Sequence, residues 1–302
     1  ERPLRIFIRA GVKTHGPGEH DHPRFLEEWK ELLRARGAQV EGALRFPTAA
    51  ELERADVLVL YAAEAGTMNP EERSLLEAFL KRGGGIVVLH DAVCGNDPQW
   101  FKTVIGGAWE HGRSKYHHGK VGLYVQDYPH EITRGAANFF LDDEIYWDLH
   151  ILPEAKILGV AFRTAHEITP QMWVYERDGY RAFVSLQGHR HASFSLSHYR
   201  ALLLRGIAWA GKRPVDLLVR SEELEALRYP EGGPVAPGRA AKRLRVEESF
   251  ALSLILAEPD IVKPIAIGWD PRGRLWVLQT PQYPLKADVW KARPRDSLVW
   301  FE

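Results

Sequence analysis

Residues 83–95 hold the stretch that most constrains the fold: three glycines, the apolar run Ile86 to Leu89, and then the polar pair His90 and Asp91. An unbroken apolar run of this length between two helical patterns is typical of a central parallel strand covered on both faces. Ligands of such sheets bind off the carboxyl ends of the strands. His90 and Asp91 therefore lie where a site is expected, although a histidine at a strand end can also be an ordinary buried residue.

Predicted strands and helices alternate along the chain around this stretch. Apolar or alternating runs predict strands over residues 4–9, 38–44, 56–61, 121–125 and 182–186, and amphipathic patterns predict helices over 25–36, 70–81, 98–105 and 197–211. A capping box of Thr48 and Glu51 begins a further short helix. This alternation predicts an α/β domain with a doubly wound, mostly parallel sheet, whose strands have their carboxyl ends on one edge.

The composition narrows the class of protein. The 302 residues include 40 basic and 40 acidic side chains without a basic run, so the electrostatic footprint of a nucleic-acid-binding protein is absent. No apolar stretch reaches the roughly 18 to 20 residues of a membrane span. The sequence starts at Glu1 rather than Met, so either a leader was removed, which indicates a secreted or periplasmic protein, or the chain was trimmed.

Histidines that follow predicted strands fall in three separate loops. His20 and His22 follow the first strand, His90 follows the fourth, and His189 and His191 follow the last, so the three loops should meet above one sheet edge. Two interpretations stay open: a divalent metal site, with zinc as the expected ion, or a metal-free acid–base site for a polyhydroxylated ligand. The first interpretation expects ligands from His22 and His189, with His20, His191 and His118 as further candidates.

Several motifs, taken in order, resemble the trehalose-utilisation (ThuA-like) family. They are Gly83-Gly84-Gly85 with His90, the element Pro129 to Gly135, the run Asp143-Glu144-Ile145-Tyr146, and Gly188-His189 before a helix that contains Trp209. The resemblance covers roughly residues 3–211. It implies a flavodoxin-like fold related to class I glutamine amidotransferases and a role in carbohydrate metabolism linked to keto-sugars. It also implies that His22, His90, Glu144 and His189 share one pocket.

The related amidotransferases place a nucleophilic cysteine in the turn after a central strand and a His-x-Glu pair late in the domain. Here that turn carries Asp91 and Ala92, and the late pair is His189-Arg190-His191, which contains no carboxylate. Cys94 lies two or three residues too far along the chain. We therefore expect Cys94 to be a small buried residue rather than a nucleophile.

The resemblance to enzymes of keto-sugar metabolism leads to specific catalytic expectations. His90 is expected to remove the proton next to the sugar carbonyl, with Asp91 orienting it and Tyr146 donating to the enolate oxygen. Glu144 follows two aspartates, and crowded carboxylates raise at least one pKa, which suits a general acid or base; an acidic surface turn is the alternative. The side chains expected to bind sugar are Trp109, Tyr116, His117, His118 and Trp147. The alternative is that they are ordinary core or rim residues.

The composition changes after residue 212. We predict an α/β domain over residues 1–212, a linker rich in proline and glycine over 213–245, and a short β-rich extension over 246–302. The strand, turn and strand at 268–277 resemble the first blade of sugar-dehydrogenase-like β-propellers, found in secreted chains that also carry a haem domain. Because a propeller needs about four to eight blades, this segment is expected to be truncated. The alternative to an enzyme is a non-catalytic sugar-binding or docking domain that serves the propeller.

Overall fold

The structure is a computed structural model that describes residues 2–125, 130–164, 166–281 and 296–302. Its helices are α1 (His22–Arg34), α2 (Ala49–Arg54), α3 (Pro70–Lys81), α4 (Pro98–Ile105), α5 (Ser197–Ala210), α6 (Ser221–Arg228) and α7 (Pro237–Ala240). Its strands are β1 (Arg5–Ala10), β2 (Gln39–Ala43), β3 (Val57–Tyr61), β4 (Gly85–Leu89), β5 (Gly107–Ala108), β6 (Lys115–Val125), β7 (Phe139–Trp147), β8 (His150–Ile151), β9 (Lys156–Thr164), β10 (Glu167–Arg177), β11 (Tyr180–Ser185), β12 (Pro264–Trp269), β13 (Leu275–Gln279) and β14 (Ser297–Phe301).

A nine-stranded sheet in the order β2-β1-β3-β4-β11-β10-β9-β6-β7 forms the centre of the fold. The first five strands in this order pair in parallel, and the remaining pairs are antiparallel. The order of the parallel strands is that of the flavodoxin-like doubly wound fold, with its topological switch point between β1 and β3. The predicted α/β class with a doubly wound sheet is confirmed.

Both faces of the parallel strands are covered, as the apolar run in β4 predicts. Val87 and Leu89 pack in a cluster with Phe25 of α1, whereas Ile86 and Val88 pack in a second cluster with Phe79 of α3. Successive side chains of a strand point to opposite faces, so a strand buried on both sides needs apolar residues at every position. The cores on the two faces hold the parallel strands, and with them the edge where their carboxyl ends meet, in a fixed geometry.

The antiparallel strands of this sheet lie in one segment that is inserted between two elements of the parallel part. Residues 107–177 lie between α4 and β11 and contain β6, β7, β9 and β10. The sequence predicted only a strand at 121–125 and a hairpin-like region at 155–176; β6 in fact begins at Lys115, so His117 and His118 are strand residues and not a loop. Of the predicted element 129–135, Pro129 lies outside the described residues, and residues 131–135 form turns.

Capping residues set the starts of several helices. The predicted capping box of Thr48 and Glu51 begins α2, and a second box of Asn69 and Glu72 begins α3. Helix α1 begins at His22, three residues earlier than predicted, because a proline is tolerated in the first turn of a helix. His22 is therefore a helical residue. Among the described residues, no helix has both the length and the apolar character that a membrane crossing needs.

The chain divides into two compact units, residues 1–234 and 235–302. The division falls inside the predicted linker. Residues 213–234 belong to the first unit, because Leu218 and Leu227 are buried and the buried Glu223 accepts hydrogen bonds from Arg36 and Arg200. Within the second unit, β12, β13 and β14 form a three-stranded antiparallel sheet.

An ion-pair network on Asp56 should make the stability of the first unit depend on pH. Burial opposes ionisation, but hydrogen bonds from Arg5 and Arg2 lower the pKa of Asp56 to about 2. Because the folded pKa lies below that of the unfolded chain, this stabilisation is present above about pH 4 and is lost as the pH falls toward 2. We expect Asp56→Asn to lower the free energy of unfolding by about 1 to 2 kcal/mol at pH 7 in urea titrations. A difference as large at pH 3 as at pH 7 would contradict this assignment.

Candidate functional site

Three histidines converge at the carboxyl ends of the parallel strands. His20 follows β1, His90 follows β4 directly, and His189 follows β11. The Nε2 atom of His20 lies 3.0 Å from Nε2 of His90 and 2.9 Å from Nδ1 of His189. All three side chains are buried. The predicted meeting of three histidine-bearing loops therefore exists as direct contact between ring nitrogens.

The opposite ring nitrogen of each of these histidines faces an acceptor. Nδ1 of His90 lies 2.8 Å from the backbone carbonyl oxygen of Leu186, and Nδ1 of His20 lies 3.0 Å from a carboxylate oxygen of Asp91. Nε2 of His189 lies 3.6 Å from a carboxylate oxygen of Glu19. A neutral imidazole carries one N–H, so for His20 and His90 donation to the outer acceptor leaves a lone pair on the inner nitrogen. The inner nitrogen of His189 also faces a carboxylate, that of Glu144 at 3.3 Å, which is closer than Glu19.

Asp91 holds two histidines from the loop after β1 and the start of α1. Its carboxylate lies 3.0 Å from His20 Nδ1 and 3.2 Å from His22 Nε2. Burial opposes ionisation, but hydrogen bonds from these two imidazoles hold the pKa of Asp91 well below its ordinary value. Asp91 was predicted to orient His90, yet the hydrogen-bond partner of His90 is the Leu186 carbonyl oxygen. Asp91 therefore orients His20 and His22 instead.

The backbone is strained at several of these histidines. His15, His20 and His90 have φ angles of 62°, 41° and 53°, in the left-handed region that non-glycine residues seldom adopt. His90 takes this conformation at the sharp turn after β4. Gly188 has a φ of 144°, and a Cβ there would lie 3.0 Å from the Cβ of His90. Strain concentrated where histidine side chains meet is typical of a functional site.

Strand β7 brings a carboxylate and a phenol to the same cluster. Glu144 and Tyr146 are two residues apart, so their side chains leave the strand on one face. Glu144 carboxylate oxygens lie 3.3 Å from His189 Nδ1 and 3.8 Å from His90 Nε2, and the Tyr146 hydroxyl lies 3.2 Å from His90 Nδ1. The interpretation of Glu144 as part of an acidic surface turn is wrong, because Glu144 lies in a strand and is buried.

Burial changes the proton affinities of these groups. It raises the pKa of Glu144 to about 7, with the neighbouring Asp143 adding a smaller effect, so burial and not the predicted crowding of carboxylates is the larger cause. Burial lowers the pKa of His90 and of His189 to about 4, so both imidazoles are neutral at neutral pH. The group with a pKa matched to proton transfer near pH 7 is therefore Glu144 and not His90.

Asp143 fastens the loop that carries His189. Its fully buried carboxylate accepts backbone N–H groups from Gly188 and His189 at 3.1 Å and from Glu144 at 2.8 Å, and the Ser193 hydroxyl also donates to it. Asp143 thus joins the start of the 188–191 loop to strand β7. No local sequence signal gives Asp143 this role, since its donors in the 188–193 loop lie about 45 to 50 residues away in the chain.

The other predicted site residues lie at different distances from the cluster. Trp109 packs against Tyr146 with ring centroids 4.8 Å apart, and His118 lies 5.2 Å from the ring of His189 while accepting a hydrogen bond from Arg190. Tyr116 and His117 are exposed on β6, and Trp147 points to the opposite face of β7 from Glu144. His191 pairs with Glu28 and is not a member of either potential cation-binding group among the described residues.

Cys94 is buried behind this site rather than presented to it. Burial raises the pKa of its thiol well above the ordinary value, which removes the thiolate that a nucleophile needs. We expect iodoacetamide at pH 8 to label Cys94 in the folded protein at less than about a tenth of the rate seen in urea. Mass spectrometry of timed samples gives both rates, and equal rates would contradict the burial of this thiol.

Two groups of side chains have donor atoms close enough to hold one cation. The first is His20, His90 and His189, and the second is His20, His22 and Asp91, each with donor atoms within 4.8 Å of one another. His20 and His189 are among the ligands that the sequence predicted for a metal site, which stays a prediction, whereas His90 was predicted as a base. Sequence reasoning missed Glu19, which faces His189, because neither a strand pattern nor a capping signal marks that position.

Comparisons with known proteins agree with this geometry at the level of the fold. A family model named ThuA and described as trehalose utilisation matches residues 11–210, and a domain of unknown function, DUF7133, matches residues 236–302. ThuA-like proteins of Parabacteroides merdae and Bacteroides uniformis are each 18% identical, with TM-scores of 0.56 and 0.57. Each alignment covers 70% of this chain, and 90% and 92% of the respective relative. No curated protein matches.

Proposed function

The chain belongs to the ThuA family of trehalose utilisation, and from this premise we propose that it is an enzyme that acts on oxidised sugars that carry a ketone. The observation that carries the proposal is the buried carboxylate of Glu144, which faces His189 and His90 from the same strand face as Tyr146. A carboxylate in this position is equipped to remove a proton from carbon. The reaction class is therefore proton abstraction next to a carbonyl, followed by elimination.

The sugar ketone is what makes this chemistry accessible. A plain glycoside has no acidic C–H bond, whereas a 3-keto glycoside has one at C2, next to its carbonyl. Loss of that proton gives an enolate, and the returning electron pair expels the glycosidic oxygen from C1. The C2–H and C1–O bonds break and a C1–C2 double bond forms, so the step needs neither an oxidant nor a reductant.

Each step has a residue of suitable protonation state. Glu144, with its pKa raised to about 7, takes the C2 proton and returns it to the departing glycosidic oxygen. The hydroxyl of Tyr146 stays protonated because burial raises its pKa well above 10, so it can donate to the enolate oxygen. The neutral ring of His90 then serves to hold the cluster together rather than to act as the base that the sequence indicated.

Purified protein incubated with trehalose and with 3-keto-trehalose tests the proposal. We expect turnover of the keto sugar, seen as release of glucose, and none of trehalose. Equal cleavage of both sugars would indicate an ordinary glycoside hydrolase with two carboxylates and would overturn the proposal. Binding of either sugar without turnover would favour a docking domain, an alternative consistent with the second family that matches residues 236–302.

A further inference from the structure

We propose that His20, His90 and His189 together bind one divalent transition-metal ion, with zinc as the fitting ion. This inference concerns the same site as the proposed function and rests on it for the chemical role of the ion. It differs from the sequence prediction, which expected His22 and His191 among the ligands.

The three inner nitrogens cannot satisfy one another. The outer acceptors, a carboxylate oxygen for His20 and a backbone oxygen for His90, each take the proton of a neutral ring. With these tautomers the Nε2 lone pairs of His20 and His90 face each other across 3.0 Å, with the Tyr146 hydroxyl 3.4 Å from His90 Nε2. His189 Nδ1 lies 2.9 Å from His20 Nε2 and 3.3 Å from a Glu144 carboxylate oxygen. If His20 carried its proton on Nε2 instead, it could donate to only one of its two histidine neighbours, and Asp91 would keep only the donor from His22. A shared cation would be bound by all three inner nitrogens at once.

The distances fit a metal ion of this type. Zinc binds imidazole nitrogens at about 2.0 to 2.1 Å, which places tetrahedral ligands about 3.3 Å apart. The distances from His20 Nε2 to His189 Nδ1 and to His90 Nε2, 2.9 Å and 3.0 Å, are close to this edge length. Three neutral imidazoles are a ligand set that suits zinc better than magnesium or calcium.

The outer contacts complete the pattern of a metal site. Ligating histidines usually donate their second ring N–H to a carboxylate or a backbone carbonyl, which fixes the tautomer and orientation of the ring. The Leu186 carbonyl oxygen does this for His90, and an Asp91 carboxylate oxygen faces His20 Nδ1 at 3.0 Å. The Glu19 carboxylate lies 3.6 Å from His189 Nε2, which is the distance of an ion pair and not of a hydrogen bond. Glu144 stands next to the three rings without being needed as a ligand, with an oxygen 3.3 Å from His189 Nδ1. A bound ion would polarise a substrate carbonyl and so acidify its neighbouring C–H.

The second potential group is less suited to a cation. Both ring nitrogens of His22 already face acceptors, Nδ1 toward the Val12 carbonyl oxygen at 2.8 Å and Nε2 toward Asp91. His22 could bind a metal only by giving up one of these two buried acceptors. Asp91 in turn receives donors from two imidazoles. His22 and Asp91 are therefore positioning residues that hold His20 in place.

The test is zinc binding by full-length protein that has been dialysed against EDTA, measured by competition with a chromophoric chelator and by cobalt absorption in the visible region. We expect one equivalent of zinc, and at least about a 100-fold loss of affinity in His20→Ala and His189→Ala. His191→Ala and the exposed His166→Ala are matched histidine controls that should keep full affinity. Asp91→Asn should weaken binding about 10- to 100-fold, since it removes an outer partner of His20.

Outcomes can be assigned to one proposal or the other. No zinc bound by the wild type, or zinc lost from His191→Ala but kept by His20→Ala and His189→Ala, would overturn the metal site. Circular dichroism of each variant shows whether a loss of zinc reflects a loss of fold. If both His20→Ala and His189→Ala unfold, the zinc affinity of Asp91→Asn decides, and an unchanged affinity of that variant would also overturn the metal site. One equivalent of zinc without turnover of a keto sugar would overturn the proposed function and leave the metal site standing.

Discussion

Glu144→Gln should lose activity on a keto glycoside by on the order of 10²- to 10⁴-fold, because a neutral amide cannot accept the proton that leaves carbon. The substitution keeps the shape of the side chain and its place on β7. Because Glu144 is buried and its pKa is already raised to about 7, removal of its charge should cost the fold little. We therefore expect the loss in kcat with a nearly unchanged unfolding midpoint, measured by steady-state kinetics and thermal unfolding.

A matched control separates this effect from general damage. Glu41→Gln makes the same chemical change at an exposed position on β2, where the carboxylate pairs with Arg54. We expect its activity to stay within about twofold of wild type, since surface ion pairs contribute about 1 kcal/mol or less. If Glu144→Gln kept full activity, proton abstraction by Glu144 would be excluded. Zinc content of the same variant shows whether the ion site survives the substitution.

Asp143→Ala should destabilise the first unit by about 3 kcal/mol or more. The carboxylate of Asp143 is the acceptor for three backbone N–H groups and the Ser193 hydroxyl, all in a buried region. Each donor left without a partner costs roughly 1 to 3 kcal/mol, although the loop can relax and recover part of that free energy. Urea unfolding followed by tryptophan fluorescence measures the change. We also expect weaker activity, because the released loop carries His189.

The neighbouring Asp142 provides the control for this prediction. Its side chain is 61% exposed and pairs with Arg190, so Asp142→Ala removes a carboxylate one position away without leaving buried donors. We expect a change in the free energy of unfolding within about 1 kcal/mol. If both variants were equally stable, the network around Asp143 would not be holding the 188–191 loop to β7.

The sequence predicts the parallel part of this fold well because its signals are local. Capping residues and apolar periodicity act within a few positions, so α3 and α4 begin and end where predicted. The antiparallel part was predicted poorly, since β6 begins with polar residues and the acidic run in β7 has the composition of a turn. Asp143 is buried in that strand only because its donors arrive from another loop, and no local pattern encodes that partnership.

The candidate site shows the same division between local and distant information. The convergence of histidine loops follows from topology alone, because the carboxyl ends of parallel strands share an edge. The partner of each ring nitrogen cannot be inferred from the topology. Asp91 was expected to orient its neighbour His90, but the left-handed turn at His90 sends the two side chains to different partners. The separation of these adjacent side chains depends on backbone geometry that the residue types do not reveal.

The insertion at residues 107–177 has a consequence for how such sites diversify. The three histidines come from the doubly wound frame, whereas Glu144 and Tyr146 come from an antiparallel segment placed between α4 and β11. The proposed metal ligands and the proposed proton-transfer groups thus belong to different segments of one chain. Exchange of the inserted segment would replace the carboxylate and the phenol while leaving the histidine cluster intact. With this arrangement, the same histidine cluster can be combined with different inserted segments that carry different reactive groups.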